Sequence, residues 1–169
     1  VKIGDYRDDP SEFIPLWPDG TPDASPLKLS ETTIERSPDG GLSDRVIYGI
    51  SSPFLAVFRP KQPNGNSLLV MPGGGYRWVV VDKEGFEIAR RLAGQGVTVF
   101  VLFYRLPGDG WGLGSEVALA DAVRAMRLIR ARAKDYRLAP DRIGAMGFSA
   151  GGHVCASLGA KWNLPLHQP

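Results

Sequence analysis

In Gly147-Phe148-Ser149-Ala150-Gly151 a single hydroxyl stands between two glycines, and the chain changes pattern at that point. Ile143-Gly144-Ala145-Met146 before it reads as a short buried strand, and the residues from Gly151 to Leu158 after it read as a helix packed closely against that strand. A serine on so tight a strand-to-helix turn needs neighbours without side chains, which is what G-x-S-x-G supplies. The chemistry open to it is attack of Ser149 Oγ on an ester carbonyl. The helix behind it would turn its positive dipole end toward the developing oxyanion, with the Ala150 N–H as a donor. The pentapeptide alone also fits a glycine-rich connection whose serine merely caps the helix.

A second glycine cluster narrows that choice. Met71-Pro72-Gly73-Gly74-Gly75-Tyr76 follows the apolar run Leu68–Met71. It lacks the G-K-[ST] ending of a phosphate-binding P-loop. Trp78 stands where the G-x-G-x-x-G spacing of a dinucleotide fold requires glycine. Consecutive glycines after a buried strand do let a backbone approach an ester oxygen, so Gly74 and Gly75 are candidates for the remaining oxyanion donors. Tyr76 and Trp78 are candidate walls of the substrate pocket.

The elements that must hold these loops follow from periodicity. Strand-like runs occupy roughly 32–36, 45–50, 54–58, 68–71, 97–104 and 142–146. The early ones alternate apolar and polar residues, as a half-exposed antiparallel edge does. The runs at 68–71 and 97–103 are almost continuously apolar, as strands buried on both faces of a parallel sheet are. Between them lie helical patterns at 83–93, stopped by Gly94-Gln95-Gly96, and at 116–134. The second places Leu119, Ala122, Met126, Ile129 and Ala133 on one stripe, with arginines opposite. The expected fold class is α/β, a mostly parallel sheet with helices on both faces. Residues 1–31, rich in Pro, Asp and Ser, read as an extended arm anchored by Trp17. Residues 32–169 read as one domain.

Composition excludes several functions. The formal charge is +2, and the basic series from Arg124 to Lys134 reads as a solvated helix face, so no nucleic-acid partner is expected. Cys155 is the sole cysteine, which rules out an internal disulfide and a cysteine-built metal site; no metal or other cofactor is expected. No apolar run has the length of a membrane span, and no charged start followed by an apolar stretch marks a signal peptide. The chain starts at Val1 in place of Met. The expectation is a soluble protein of unfixed compartment, either exported with its leader already removed or trimmed at its start.

Over nearly its whole length the sequence resembles the acetylxylan and feruloyl esterase-like branch of the α/β-hydrolases. The resemblance rests on Pro15-Leu16-Trp17-Pro18, Pro72-Gly73-Gly74-Gly75-Tyr76, Asp82-Lys83-Glu84-Gly85, Tyr104-Arg105-Leu106-Pro107 and Gly147-Phe148-Ser149-Ala150-Gly151-Gly152-His153. Lipases related to hormone-sensitive lipase carry His where Pro72 stands. The resemblance implies hydrolysis of short acyl esters, acetyl groups on plant-wall sugars among them. It also implies a Ser, Asp or Glu, His triad in chain order, and here the pattern is incomplete. Asp82, Asp109, Asp121 and Asp141 all precede Ser149, Asp121 being expected to pair with Arg124 or face solvent. His153, one helical turn past the serine, points along its helix, and His167 lies in a Pro-rich tail; neither is assigned as the base. The fold reads as truncated after the nucleophile helix. A truncated or nicked chain, a complementing second chain and an inactive relative all fit.

Overall fold

The computed structural model describes residues 10–23, 25, 27–161 and 163. Its strands are β1 (Glu12–Pro15), β2 (Thr32–Glu35), β3 (Arg45–Tyr48), β4 (Phe54–Phe58), β5 (Ser67–Met71), β6 (Val79–Val80), β7 (Thr98–Phe103) and β8 (Ile143–Gly147). The helices are α1 (Glu87–Ala93), α2 (Val117–Ala131) and α3 (Ala150–Lys161). A wide π-helical turn, Asp82–Phe86, leads into α1.

The central sheet has the order β1-β4-β7-β5-β8. β5 pairs in parallel with β7 and β8, while β4 runs antiparallel to both β1 and β7. Four of the five strands therefore point the same way and β4 alone opposes them, the mixed but mostly parallel sheet expected. Every residue of β7 is buried. Its alternate side chains serve opposite faces. Phe103 meets Phe86 at the start of α1, whereas Phe100 meets Tyr136 beyond the end of α2. Each fully buried phenylalanine contributes about 1.5–3 kcal/mol relative to an exposed one. Such a strand is stable only with helices on both sides.

Four expectations change. First, the extended arm supplies an edge strand of the central sheet: Phe13 and Ile14 of β1 align with Ala56 and Leu55 of β4. Trp17 anchors the segment, donating from Nε1 to Asp121 at 3.0 Å. Secondly, β2 and β3 pair antiparallel as expected, but they join β6 in a separate three-stranded sheet. Thirdly, β8 is not buried. Gly144, Ala145 and Met146 are exposed, because β8 pairs only with β5 among the described residues. Fourthly, Asp121 neither pairs with Arg124 nor faces solvent. It is fully buried against Arg105, with an Nη2 to Oδ1 distance of 2.7 Å. Arg124 in turn leaves the solvated face. Its guanidinium donates to the Leu16 carbonyl at 3.0 Å and stacks 5.0 Å above the Trp17 ring. The remaining α2 stripe behaves as expected, with Leu119, Ala122 and Ile129 buried.

Candidate functional site

The C-terminal ends of β5 and β8 bring the two glycine clusters together. After β8 the chain turns through Phe148 and Ser149 directly into α3, and Ser149 takes a left-handed φ of 48°. That is an uncommon conformation for a residue with a Cβ and marks stored strain. The turn is tight enough that a Cβ on Gly147 would lie 2.1 Å from the Gly151 carbonyl oxygen. One on Gly151 would lie 2.0 Å from the Met71 carbonyl oxygen. The two glycines thus let α3 start against the end of β5, and the Phe148 N–H donates to the same Met71 carbonyl at 3.1 Å. Ser149 is exposed, while Ala150 is buried as the first residue of α3. First-turn N–H groups have no acceptor within their own helix, so that of Ala150 is available to a ligand.

Facing the turn is the loop after β5. Gly74, Gly75 and Tyr76 are consecutive residues with positive φ (136°, 61° and 59°). Among the described residues, the N–H groups of Gly74 and Gly75 donate to nothing. A Cβ on Gly73 would come within 3.0 Å of the Ser149 Cβ, so the loop passes directly beside the serine. Two side chains pin it from below. The Gly73 N–H donates to Glu84 Oε2 at 2.7 Å, and the Tyr104 hydroxyl donates to the Pro72 carbonyl at 2.7 Å. Burial above all, then the proximity of Tyr76 and Glu84, pushes the Tyr104 hydroxyl far above its ordinary pKa, which keeps it a donor. Sequence reasoning did not assign Glu84 or Tyr104 to the site. The only signal was their place in the segments Asp82–Gly85 and Tyr104–Pro107.

A cleft of about 510 Å³ opens beside Ser149, lined by Gly74, Gly75 and Trp78 and by Arg36, Arg77, Lys83 and Glu84. Tyr76 faces elsewhere. It lines a small hollow of about 110 Å³ with Ser115, Glu116 and His153, and its hydroxyl lies 2.7 Å from His153 Nδ1. Burial and then Glu116 raise the Tyr76 pKa. The His153 ring is thus engaged with Tyr76, and its backbone N–H donates to the Ser149 carbonyl within the first turn of α3. His167 lies outside the described residues. Of the four aspartates considered, Asp82 is bound to buried Arg45, Asp121 to Arg105, and Asp141 sits in the turn before β8. Burial raises the Asp109 pKa, and its Oδ2 has no partner among the described residues. No group of three metal-binding side chains occurs among the described residues, and none of their helices is long and apolar enough to cross a membrane.

A mostly parallel sheet flanked by helices, with an exposed serine on a left-handed strand-to-helix turn, defines an α/β hydrolase, and solved structures of that class share the fold. Residues 55–166 match the BD-FAE family, and the chain belongs to it. An acetylxylan esterase of Xylanibacter ruminicola is 37% identical over 101 residues, 59% of this chain and 20% of that protein. Endo-1,4-beta-xylanase B of Butyrivibrio fibrisolvens is 33% identical over 116 residues, 69% of this chain and 18% of that protein. The solved acetyl ester-xyloside bifunctional hydrolase of Caldicellulosiruptor lactoaceticus aligns at 27% identity with a TM-score of 0.59, over 94% of this chain and 52% of that one. The chain therefore spans a fifth or less of the curated relatives it matches and about half of this solved one.

Proposed function

We propose that this chain is the nucleophile-bearing part of a serine carboxylic-ester hydrolase that removes short acyl groups, acetyl above all, from plant-wall carbohydrate. The observation that carries the reading is the left-handed Ser149 between β8 and α3, directly beside the Gly73–Gly75 loop. The substrate class draws support from family membership and from the relatives named for acetylxylan and acetyl ester–xyloside hydrolysis.

In this reading Ser149 Oγ bonds to the ester carbonyl carbon. The carbonyl π electrons move onto oxygen, where the N–H groups of Ala150, Gly74 and Gly75 receive the charge. The intermediate collapses by breaking the bond to the sugar oxygen, which leaves with the proton taken from Ser149. Water then releases the acyl group as a carboxylic acid and restores the hydroxyl. The proton carrier is a histidine that the described residues do not include, supplied by a complementing part of the fold on this or a second chain. Trp78 contacts the substrate from the cleft, and Tyr76 shapes the loop from its far side. Residues 32–169, together with β1 of the arm as an edge strand of the same sheet, are the N-terminal part of one hydrolase domain.

The test is acetate release from a chromogenic acetate ester and from acetylated xylo-oligosaccharide, together with covalent labelling by a fluorophosphonate, comparing the parent with Ser149→Ala. Labelling mapped to Ser149 and abolished by the substitution supports the reading. Equal labelling or equal hydrolysis in both proteins would overturn it. The Ser149 hydroxyl has no hydrogen-bond partner among the described residues, which favours a second reading, a catalytically incomplete relative that binds carbohydrate; binding without labelling supports that one.

A further inference from the structure

The cleft beside Ser149 carries more charge than a neutral acylated sugar needs. Three cationic side chains line it, Arg36, Arg77 and Lys83. Two of them share one counter-ion. Arg36 Nη2 lies 2.6 Å from Asp44 Oδ1, and Lys83 Nζ lies 2.9 Å from Asp44 Oδ2. These bonds outweigh the burial of Asp44 and hold its carboxyl below the usual carboxylate range, so the trio keeps one net positive charge. The carboxylate of Glu84, also in the cleft wall, is turned toward the loop and accepts the Gly73 N–H at 2.7 Å.

Arg77 differs from the other two. Its side chain is exposed, lines the cleft, and has no ion-pair partner among the described residues. Its backbone is nevertheless fixed, since its N–H donates to the Gly74 carbonyl at 3.1 Å. Arg77 thus follows Gly74 by three residues, and both line the cleft that Ser149 also lines. Its planar fork matches a carboxylate with two parallel hydrogen bonds. The Arg36 guanidinium, 5.8 Å from the centre of the Trp78 ring, keeps the second positive group on the same wall.

We propose that this cleft selects acyl esters carried on acidic saccharides, with Arg77 pairing the carboxylate of a uronic acid residue near the esterified sugar. The inference rests on the ester-hydrolase reading and specifies its substrate. Arg36 and Lys83 strengthen the field, with Asp44 as their shared counter-ion, and Arg77 makes the direct pair. A neutral xylan fragment enters the same cleft but leaves Arg77 in water.

The experiment compares two acetylated xylo-oligosaccharides of equal length, one bearing a single glucuronic acid branch. Binding to the parent chain and to Arg77→Gln and Arg77→Glu is measured by calorimetry at low salt and in 0.5 M NaCl. The acidic ligand binds the parent about three- to tenfold tighter at low salt, and the advantage shrinks in high salt. Arg77→Gln brings the two ligands within about twofold, and Arg77→Glu inverts the order. Equal affinities in the parent, or a preference that survives Arg77→Gln, overturn this inference while fluorophosphonate labelling of Ser149 leaves the hydrolase reading intact. Absence of both labelling and carbohydrate binding overturns the hydrolase reading and this inference with it.

Discussion

Replacing Asp121 with alanine removes the acceptor of an unusually crowded carboxylate. Its two oxygens take the Arg105 backbone N–H at 2.9 Å, Arg105 Nε at 3.0 Å, Arg105 Nη2 at 2.7 Å and Trp17 Nε1 at 3.0 Å. Both charged side chains are 0% exposed. Alanine would leave a guanidinium in the core with the Trp111 ring 4.8 Å away as its remaining partner. Breaking such a pair from one side costs about 3–5 kcal/mol, against a total stability of roughly 5–15 kcal/mol for a domain. For a chain of this length that lowers Tm by about 6–20 °C. Urea titration and thermal melting followed by circular dichroism measure it. The control is the double variant Arg105→Met with Asp121→Leu, which removes both charges and fills the space. It should lie closer to the parent than Asp121→Ala does, because no unpaired charge remains. A loss below about 1 kcal/mol for Asp121→Ala, or a double variant no more stable than the single one, would refute the reasoning.

Two further perturbations test the surroundings of the serine. Glu84→Ala takes the acceptor from the Gly73 N–H, so amide exchange at Gly73, followed by NMR, speeds up by roughly tenfold or more, with Glu84→Gln in between; unchanged exchange would mean that the carboxylate does not pin the loop. Asp44 has a lowered pKa in the folded chain, so the unfolded chain binds its proton first as pH falls; the contribution of Asp44 to stability is present above about pH 4 and is lost as pH drops through the folded-state value. Urea midpoints of the parent and Asp44→Asn should therefore differ at pH 6 and converge toward pH 3, and a constant gap would contradict that sign.

What was legible in the sequence was set by contacts close along the chain or by runs of one kind of residue. Gly147 announces the turn because a Cβ there would strike Gly151, a condition met within five residues, although the lack of room at Gly151 comes from Met71 at the end of β5. The unbroken apolar runs around Leu69 and Val101 announce buried parallel strands, and the three- and four-residue steps of Leu119, Ala122 and Ile129 announce α2. Distance along the chain hid the rest. β1 is four residues whose sheet partner among the described residues lies some 40 positions later, and β6 is two valines in a loop. Asp121 sits three residues before Arg124 on a helix, which makes the local pair the natural expectation. Its real partner is Arg105, at the end of β7, brought beneath α2 by the crossover. Tyr76 and His153 are 77 positions apart and meet only because the two loops converge.

The same division runs through the candidate site. Its proposed donors are backbone N–H groups, whose directions follow from φ values and from the glycines that permit them, so both loops could be located from spacing. Side-chain groups reach the site from separate elements: Glu84 from the turn before α1, Tyr104 from the end of β7, Arg36 from beyond β2. Apart from the family-like segments that contain Glu84 and Tyr104, nothing in their local sequence distinguishes them from ordinary surface or core residues. A general base belongs to this second kind, because an imidazole must be carried to Ser149 Oγ by an element remote in sequence. In the hydrolase reading such an element adds at β8, the edge strand of the described central sheet, whose middle residues are exposed. On that reading, the half of the site that stabilises charge is thus built from loops within this chain, and the half that moves the proton depends on what pairs with β8.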